Sequence, residues 1–422
     1  MPAGFYRLIA AQFTSAVADN ALLIVGIAWL KALNHPDWWA PLLKLFFTLA
    51  YVVFAPWVGP LADRWPKARV MAVMNLVKIA GLLLLLAGVS PLLAFAVAGV
   101  GAAAYAPAKY GLLTELVPPH LLVRANAWLE VSVVGAAIFG TLVGGLIVSA
   151  PSQDFLWGWS TQWWSVLAAD WQGGKKIFSL QLGMVCVLAV YLMASLLNWG
   201  LPDSGKRYPR ESLDVQRVFR TFVNANRSLW RDALGGLSLS VTTLFWGVGA
   251  TLQIAVIHWA DRVMGLTVDE GSILQVIVAA GVVVGAAAAG RWVPLHAARK
   301  VLGAGVLLGV SIAASAVSTS VADAAVWLGI SGFLAGVLVV PLNALLQHRG
   351  YVLLSAGSSI AVQNFNENLS VLCMLAVYSL LLGHDFDIVT IMLMGAGFVS
   401  ALMLVLMLRR STGQRGVAES QV

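Results

Sequence analysis

The chain has 422 residues, of which 60% are hydrophobic and only 11% charged, with a mean hydropathy of +0.85. A water-soluble domain carries about 25% charged residues, so a soluble fold is excluded and a membrane protein is indicated. The net charge of +7 is therefore read against membrane topology before any nucleic-acid partner is invoked.

A helical membrane span takes about 20 apolar residues. Twelve runs qualify, at 8–32, 41–63, 70–89, 92–116, 126–149, 177–200, 234–259, 272–293, 301–320, 324–347, 356–382 and 388–408. They are too long for barrel strands and lack the alternation of one. The first resembles a secretory leader, with Arg7 ahead of an apolar run and Ala16-Val17-Ala18 as a mock cleavage site. The run continues to Leu30, however, and reads as an uncleaved first span.

Asp19 lies inside that span, with Gln12 and Ser15 on the same helical face. Between spans two and three stands a basic loop, Gly59-Pro60-Leu61-Ala62-Asp63-Arg64 followed by Lys67-Ala68-Arg69. Lys78 sits mid-span in the third segment. The fourth carries Tyr105, Pro107 and Lys109, and the fifth Asn126 and Glu130. Segment 150–176 is rich in tryptophan and glycine (Trp157, Trp159, Trp163, Trp164, Trp171, Gly158, Gly173, Gly174). Tryptophan favours the membrane–water interface, so an irregular surface flap is expected there.

The second half repeats the first. Arg291-Trp292-Val293-Pro294 with Ala298-Arg299-Lys300 echoes the basic loop, Pro341-Leu342-Asn343 echoes Pro107-Ala108-Lys109, and Asn364…Glu367 echoes Asn126…Glu130. A duplicated bundle with a polar pathway accounts for such a repeat. Gly281 and Gly285 make a GxxxG pair suited to close packing or to sliding contact. Gln363 and Glu367 line one face of the eleventh span, beside Asn364, Asn366 and Asn368. Cys186 and Cys373 read as buried fillers, and the six histidines show no metal-ligand spacing; no cofactor or metal is expected.

Lysine and arginine set the orientation. Arg7, Arg64, Lys67, Arg69, Arg124, Arg291, Arg299, Lys300, Arg349, Arg409, Arg410 and Arg415 fall on one side, with the basic connector. Lys31, Lys44, Lys175, Lys176 and Arg262 fall on the other. The expected architecture is an all-α membrane protein of twelve transmembrane helices in two halves. It comprises an N-terminal six-helix bundle over 1–200, a cytoplasmic connector over 201–233, a C-terminal six-helix bundle over 234–410 and a cytoplasmic tail over 411–422.

A charge at the bilayer centre costs roughly 2.5–3.5 kcal/mol even on insertion scales, so it faces a cavity or a partner. Each intramembrane charge has two readings here. Lys109 and Glu130 either serve a site or pair with one another, and Lys78 either serves a site or neutralises a carboxylate. Asp19 has no basic neighbour on its own helix and reads as functional, as does Glu367 among its amides.

The loop Gly59–Arg69 resembles the helix 2–3 motif of the major facilitator superfamily, with Pro66 where that family often has glycine. Further stretches (Ser15–Leu23, Gly99–Gly111 with its Pro-Ala-Lys-Tyr-Gly, Leu244–Gly247, Val340–Gln347 and Ala361–Asn368) resemble the bacterial lysophospholipid-transporting branch of that superfamily over nearly the whole chain. The chain departs from that branch in its longer Trp-rich segment and in Gln253, where an arginine is expected.

The resemblance implies the major facilitator fold and a flippase of the bacterial inner membrane. Lysophosphatidylethanolamine and lysophosphatidylglycerol would move from the outer to the inner leaflet. An acyltransferase–acyl carrier protein synthetase would then re-acylate them. It implies a substrate path with Lys109 at the phosphate, and Asp19 with Glu367 at an ammonium head or coupling cation. Tyr105, Glu130, Asn343 and Gln363 stand alongside, and Asp63, Arg64, Lys67 and Arg69 form a cytoplasmic gate. The alternative is a proton-coupled porter of the same superfamily for a drug or small metabolite. A lipid acyltransferase lacks its acid–base pair, because none of the six histidines has an aspartate four residues beyond it. An ATP-driven flippase lacks the GxxxxGK[ST] loop.

Overall fold

The computed structural model of the chain describes residues 1–36, 39–163, 174–206, 208 and 214–419. Among them no strand occurs, and the helices are α1 (Ala3–Ala32), α2 (Trp39–Val53), α3 (Ala55–Arg64), α4 (Lys67–Leu86), α5 (Pro91–Leu116), α6 (Leu122–Val148), α7 (Ala150–Trp163), α8 (Gly174–Trp199), α9 (Val215–Arg231), α10 (Ala233–Met264), α11 (Val268–Trp292), α12 (Leu302–Ala316), α13 (Val321–Leu353), α14 (Ala356–Gly383) and α15 (Ile388–Glu419). Eleven of the described helical segments are long and apolar enough to cross a membrane. The pair α2 and α3, bent by 67° at their break, makes a twelfth when counted as one span. The single run expected over 41–63 is thus broken. Pro56 has no N–H to continue the ladder of α2, and its ring crowds the carbonyl four residues back.

Local chemistry sets several ends. Thr267 and Glu270 form a capping box at the start of α11, and the Ser320 hydroxyl accepts from the Asp323 N–H at the start of α13. Helix α10 starts at Asp232, whose carboxylate accepts from the Gly235 N–H at 2.7 Å. It stops at Gly265, in the left-handed region at φ 64°.

The chain divides into two compact units. The first comprises Met1–Leu116, Ser132–Val223 and Ser355–Asn364, and the second Val117–Val131, Asn224–Leu354 and Phe365–Val422. The core of the first joins Trp29, Leu43, Leu82, Phe95, Leu180 and Met184. In the second, one core gathers around Leu302, Leu338 and Met403 and another around Trp259, Leu328 and Tyr378 among the described residues. Small residues bring backbones together in the second unit. A Cβ on Gly281 would strike the Gly329 carbonyl, one on Gly285 the Phe333 carbonyl, and one on Gly332 the Val278 carbonyl. The GxxxG pair therefore buries α11 directly against α13.

Two sequence expectations are revised. Cys186 and Cys373 are exposed rather than buried, because in a spanning helix the lipid-facing side accepts a small apolar thiol as readily as a core does. In the Trp-rich segment, Ala150–Trp163 is helical, with Trp157 edge-on to Phe178 at 5.8 Å between centroids. Trp164, Trp171 and Gly173 lie outside the described residues.

Two outcomes follow for stability. Gly285→Ala forces a methyl onto the Phe333 carbonyl and should cost about 1–3 kcal/mol. Gly397→Ala, with open space around it, should cost nothing. Thermal unfolding midpoints of the detergent-solubilised variants check the contrast. The second concerns Asp232, whose carboxyl is held below its ordinary value, first by the hydrogen bond from Arg349. A depressed folded-state value means stability that is present above the unfolded value of about 4 and lost as pH falls through the folded one. Asp232→Ala should flatten that acid limb and remove about 1 kcal/mol of helix capping at neutral pH. A pH series of unfolding midpoints reads both effects.

Candidate functional site

One polar cluster of the first unit is built on α1, α4, α5 and α8. Apolar runs form these helices, and a few polar residues at helical spacing face one another inside. Lys78 Nζ lies 2.7 Å from Asp19 Oδ2 and donates to the Ser15 hydroxyl at 3.1 Å. The Ser15 hydroxyl donates to Asn75 Oδ1 at 2.8 Å, and the Tyr191 hydroxyl to Asp19 Oδ1 at 2.7 Å. Lys78 also stands 4.8 Å above the Tyr105 ring, and the Tyr105 hydroxyl donates to Asn198 Oδ1 at 3.4 Å. Both oxygens of Asp19 are therefore engaged, by groups from two other helices.

Burial divides the cluster. The Lys78 side chain is 2% exposed and that of Asp19 22%. The carboxylate is the accessible end, and the ammonium is the charge buried behind it. Gln12, 2% exposed on α1, has neither amide atom hydrogen-bonded, and the amide nitrogens of Asn75 and Asn198 are likewise unpartnered. The cluster thus holds a compensated charge pair with hydrogen-bonding capacity to spare. Such an arrangement suits a polar or cationic group arriving at Asp19.

A second cluster of the same unit surrounds Asp63. Its carboxylate accepts from the Gly357 N–H at 2.9 Å, the Ser358 N–H at 3.1 Å and the Ser355 hydroxyl. It thereby caps the N-terminus of α14, where backbone donors and helix dipole both favour an anion. Lys67 bridges Asp63 at 3.2 Å and Glu115 at 2.7 Å. Glu115 in turn accepts from the hydroxyls of Tyr208 at 2.8 Å and Ser204 at 2.5 Å. Glycine makes room for these side chains at two positions. A Cβ on Gly111 would meet Lys67 Cε at 2.6 Å, and one on Gly357 the Asp63 carboxylate at 2.7 Å. Arg64 and Arg69 are exposed on the neighbouring turns.

In the second unit Asn126 and Gln347 exchange amide hydrogen bonds at 2.9 and 2.8 Å. Glu130, 6% exposed, lies one turn beyond Asn126 on α6, and Asn343, 4% exposed, one turn before Gln347 on α13. Asp232 is gripped by Arg349, with Nη2 at 2.5 Å and Nε at 3.0 Å. Asn366 accepts from the Trp230 indole at 3.1 Å and donates to Asn226 at 2.9 Å; the next residue on α14 is Glu367, which is buried.

Of the residues singled out in the sequence, the structure brings Asp19 and Tyr105 into one cluster, with Lys78 as the link. Lys109 follows Tyr105 by one turn of α5, its ammonium 4.3 Å above the Tyr110 ring. Lys109 and Gln363 belong to the first unit, and Glu130, Asn343 and Glu367 to the second. Lys78 does neutralise a carboxylate, and that carboxylate is Asp19. Sequence reasoning missed Tyr191, Asn75, Asn198 and Glu115. Asn75 carried a usable signal, being three residues before Lys78 and so on its face.

Removing one partner of a buried pair strands the other. Lys78→Met should therefore destabilise the protein by about 3 kcal/mol, and Asp19→Asn combined with Lys78→Met should recover most of that loss. A double-mutant cycle of unfolding midpoints measures the recovery.

The family model described as Major Facilitator Superfamily matches residues 8–372. The chain is 39% identical over 374 residues to the lysophospholipid transporter LplT of Serratia proteamaculans (strain 568), covering 88% of this chain and 87% of that one. It is 40% identical over 377 residues to LplT of Yersinia enterocolitica, with 89% and 86% covered. With LplT of Photorhabdus laumondii it shares 37% over 404 residues, with 96% and 94% covered. Among solved structures, the Major Facilitator Superfamily transporter FucP superposes with a TM-score of 0.71 at 17% identity, over 95% of this chain and 97% of that one. The human organic anion transporter MFSD10 does so with 0.67 at 14% identity, over 96% and 99%. At those identities the likeness carries the fold alone. Twelve apolar spans, the helix 2–3 motif and a matching family model over most of the sequence lead to one conclusion: the chain belongs to the Major Facilitator Superfamily.

Proposed function

We propose that the chain is a lysophospholipid transporter, a secondary transporter rather than an enzyme. The observation that carries this reading is the 37–40% identity, sustained over about nine-tenths of the sequence, to transporters named for that substrate. The geometry suits it. A lysolipid has a charged head and a single acyl tail, so its path needs a few polar groups set in apolar walls. Asp19, with its buried Lys78 counter-charge, offers such a group.

In the finer reading, lysophosphatidylethanolamine and lysophosphatidylglycerol pass from the outer to the inner leaflet of a bacterial cytoplasmic membrane. Both termini and the connector lie in the cytoplasm, where the positive charges concentrate. The two six-helix bundles, 1–200 and 234–410, alternate access to the path. An acyltransferase–acyl carrier protein synthetase consumes the delivered lipid. Lys109 takes the phosphate, and Asp19 and Glu367 take the ammonium head or a coupling cation. Tyr105, Glu130, Asn343 and Gln363 line the route, and Asp63, Arg64, Lys67 and Arg69 close it on the cytoplasmic side.

The test is uptake of labelled lysophosphatidylethanolamine by spheroplasts lacking their own transporter, with and without this chain. Uptake should depend on the chain. Lys109→Ala in a normally inserted protein should reduce it about ten- to hundredfold, as loss of a charged hydrogen bond implies. Uptake with Lys109 dispensable would move the head-group site elsewhere, and Asp19→Asn at wild-type rate would remove Asp19 from it. No uptake with any head group would favour the porter of soluble compounds.

A further inference from the structure

Helix α9 has a composition that neither transport nor packing explains. Its seventeen residues, Val215–Arg231, include four arginines and no acid. At 100° per residue they sort into three faces. Val218, Phe222, Ala225 and Leu229 form one, at most 8% exposed, and this face packs inward. The adjoining face is apolar yet open: Val215 is 64% exposed, Phe219 56%, Val223 47% and Trp230 39%. The third face carries Arg217, Arg220, Arg227 and Arg231, all exposed.

The position of the helix is fixed as well. Asp232 alone separates Arg231 from α10, a helix long and apolar enough to cross a membrane, so α9 is joined directly to the start of that helix. Trp230 and Asn226 hold it further through Asn366 of α14.

An open apolar stripe beside a row of arginines, on a helix joined directly to a membrane span, is the pattern of a helix lying in the head-group region. A basic row without acids matches an anionic surface, and arginine forms bidentate bonds with phosphate. We infer that α9 binds anionic phospholipid head groups of the leaflet at which α10 begins, with Phe219 and Val223 sunk at the acyl boundary and the four arginines on lipid phosphates. This inference is independent of what the protein transports.

The full-length chain with Cys186→Ser and Cys373→Ser, carrying an environment-sensitive fluorophore at Phe219→Cys, is reconstituted into vesicles. One set is phosphatidylcholine alone and the other includes phosphatidylglycerol. In the anionic vesicles the fluorophore should shift to the blue and be quenched by head-group-labelled nitroxide lipid. A fluorophore at Ser228→Cys, on the far side of the helix, should stay in water. Each Arg→Gln change should lower the lipid-bound ratio roughly fivefold. The four-arginine variant should lose the difference between vesicles, and Arg→Lys at the same sites should largely keep it. Three results would overturn the inference: a Phe219→Cys fluorophore open to aqueous iodide in anionic vesicles, equal lipid quenching in the four-Gln variant, or protection only after adding soluble cell proteins. The last would identify a protein partner instead.

Discussion

Hydrocarbon offers no hydrogen bonds, so every polar group carried into it must find its partner inside the protein. That constraint organises what is polar here. Asp19 is answered by Lys78 and Tyr191, Ser15 by Asn75, and Asn126 by Gln347. Each pair joins helices far apart in sequence, and each is cheap to keep and costly to break from one side. Packing between them is left to small residues, which bring α11 and α13 into backbone contact.

Against that background the unspent polar groups stand out. Gln12 is buried on α1 with both amide atoms unpartnered, two turns before Asp19, whose carboxylate remains partly accessible. A transporter must hold its substrate without satisfying every group permanently, since a fully paired site has nothing to exchange. The Asp19 cluster has that incompleteness, whereas the Asp63 cluster, with its backbone, hydroxyl and ammonium donors, is closed. The two clusters of the first unit thus differ in the property that separates binding from fastening.

Much of this was legible in the sequence, for physical reasons. Spans announce themselves because their backbone groups are satisfied internally and their side chains must be apolar. Charges within them, such as Asp19 and Lys78, are conspicuous because they are expensive. Pairing was not legible. Lys78 reaches Asp19 only because α4 and α1 both pack against α8, and no helical spacing encodes that. Glu115 escaped notice at the end of an apolar run, where an acid looks like an ordinary solvated terminus; in the structure its side chain is fully buried. The break between α2 and α3 was available in Pro56, but hydropathy averaging hid it. Tyr191 gave no signal, since a tyrosine in a span is more often an interfacial anchor.

The junction around Lys67 has a further consequence when its charges are counted. Two buried carboxylates, Asp63 and Glu115, share one ammonium. The leftover negative charge is balanced by the first turn of α14, through two backbone N–H groups and the partial positive charge of a helix start. Electroneutrality at this spot is therefore a property of position, borne by a helix end rather than by a second cation. Any displacement of that helix end leaves an uncompensated charge behind, which must be met by water or by the exposed Arg64 nearby. The restoring force is electrostatic, and it acts along the axis of that helix.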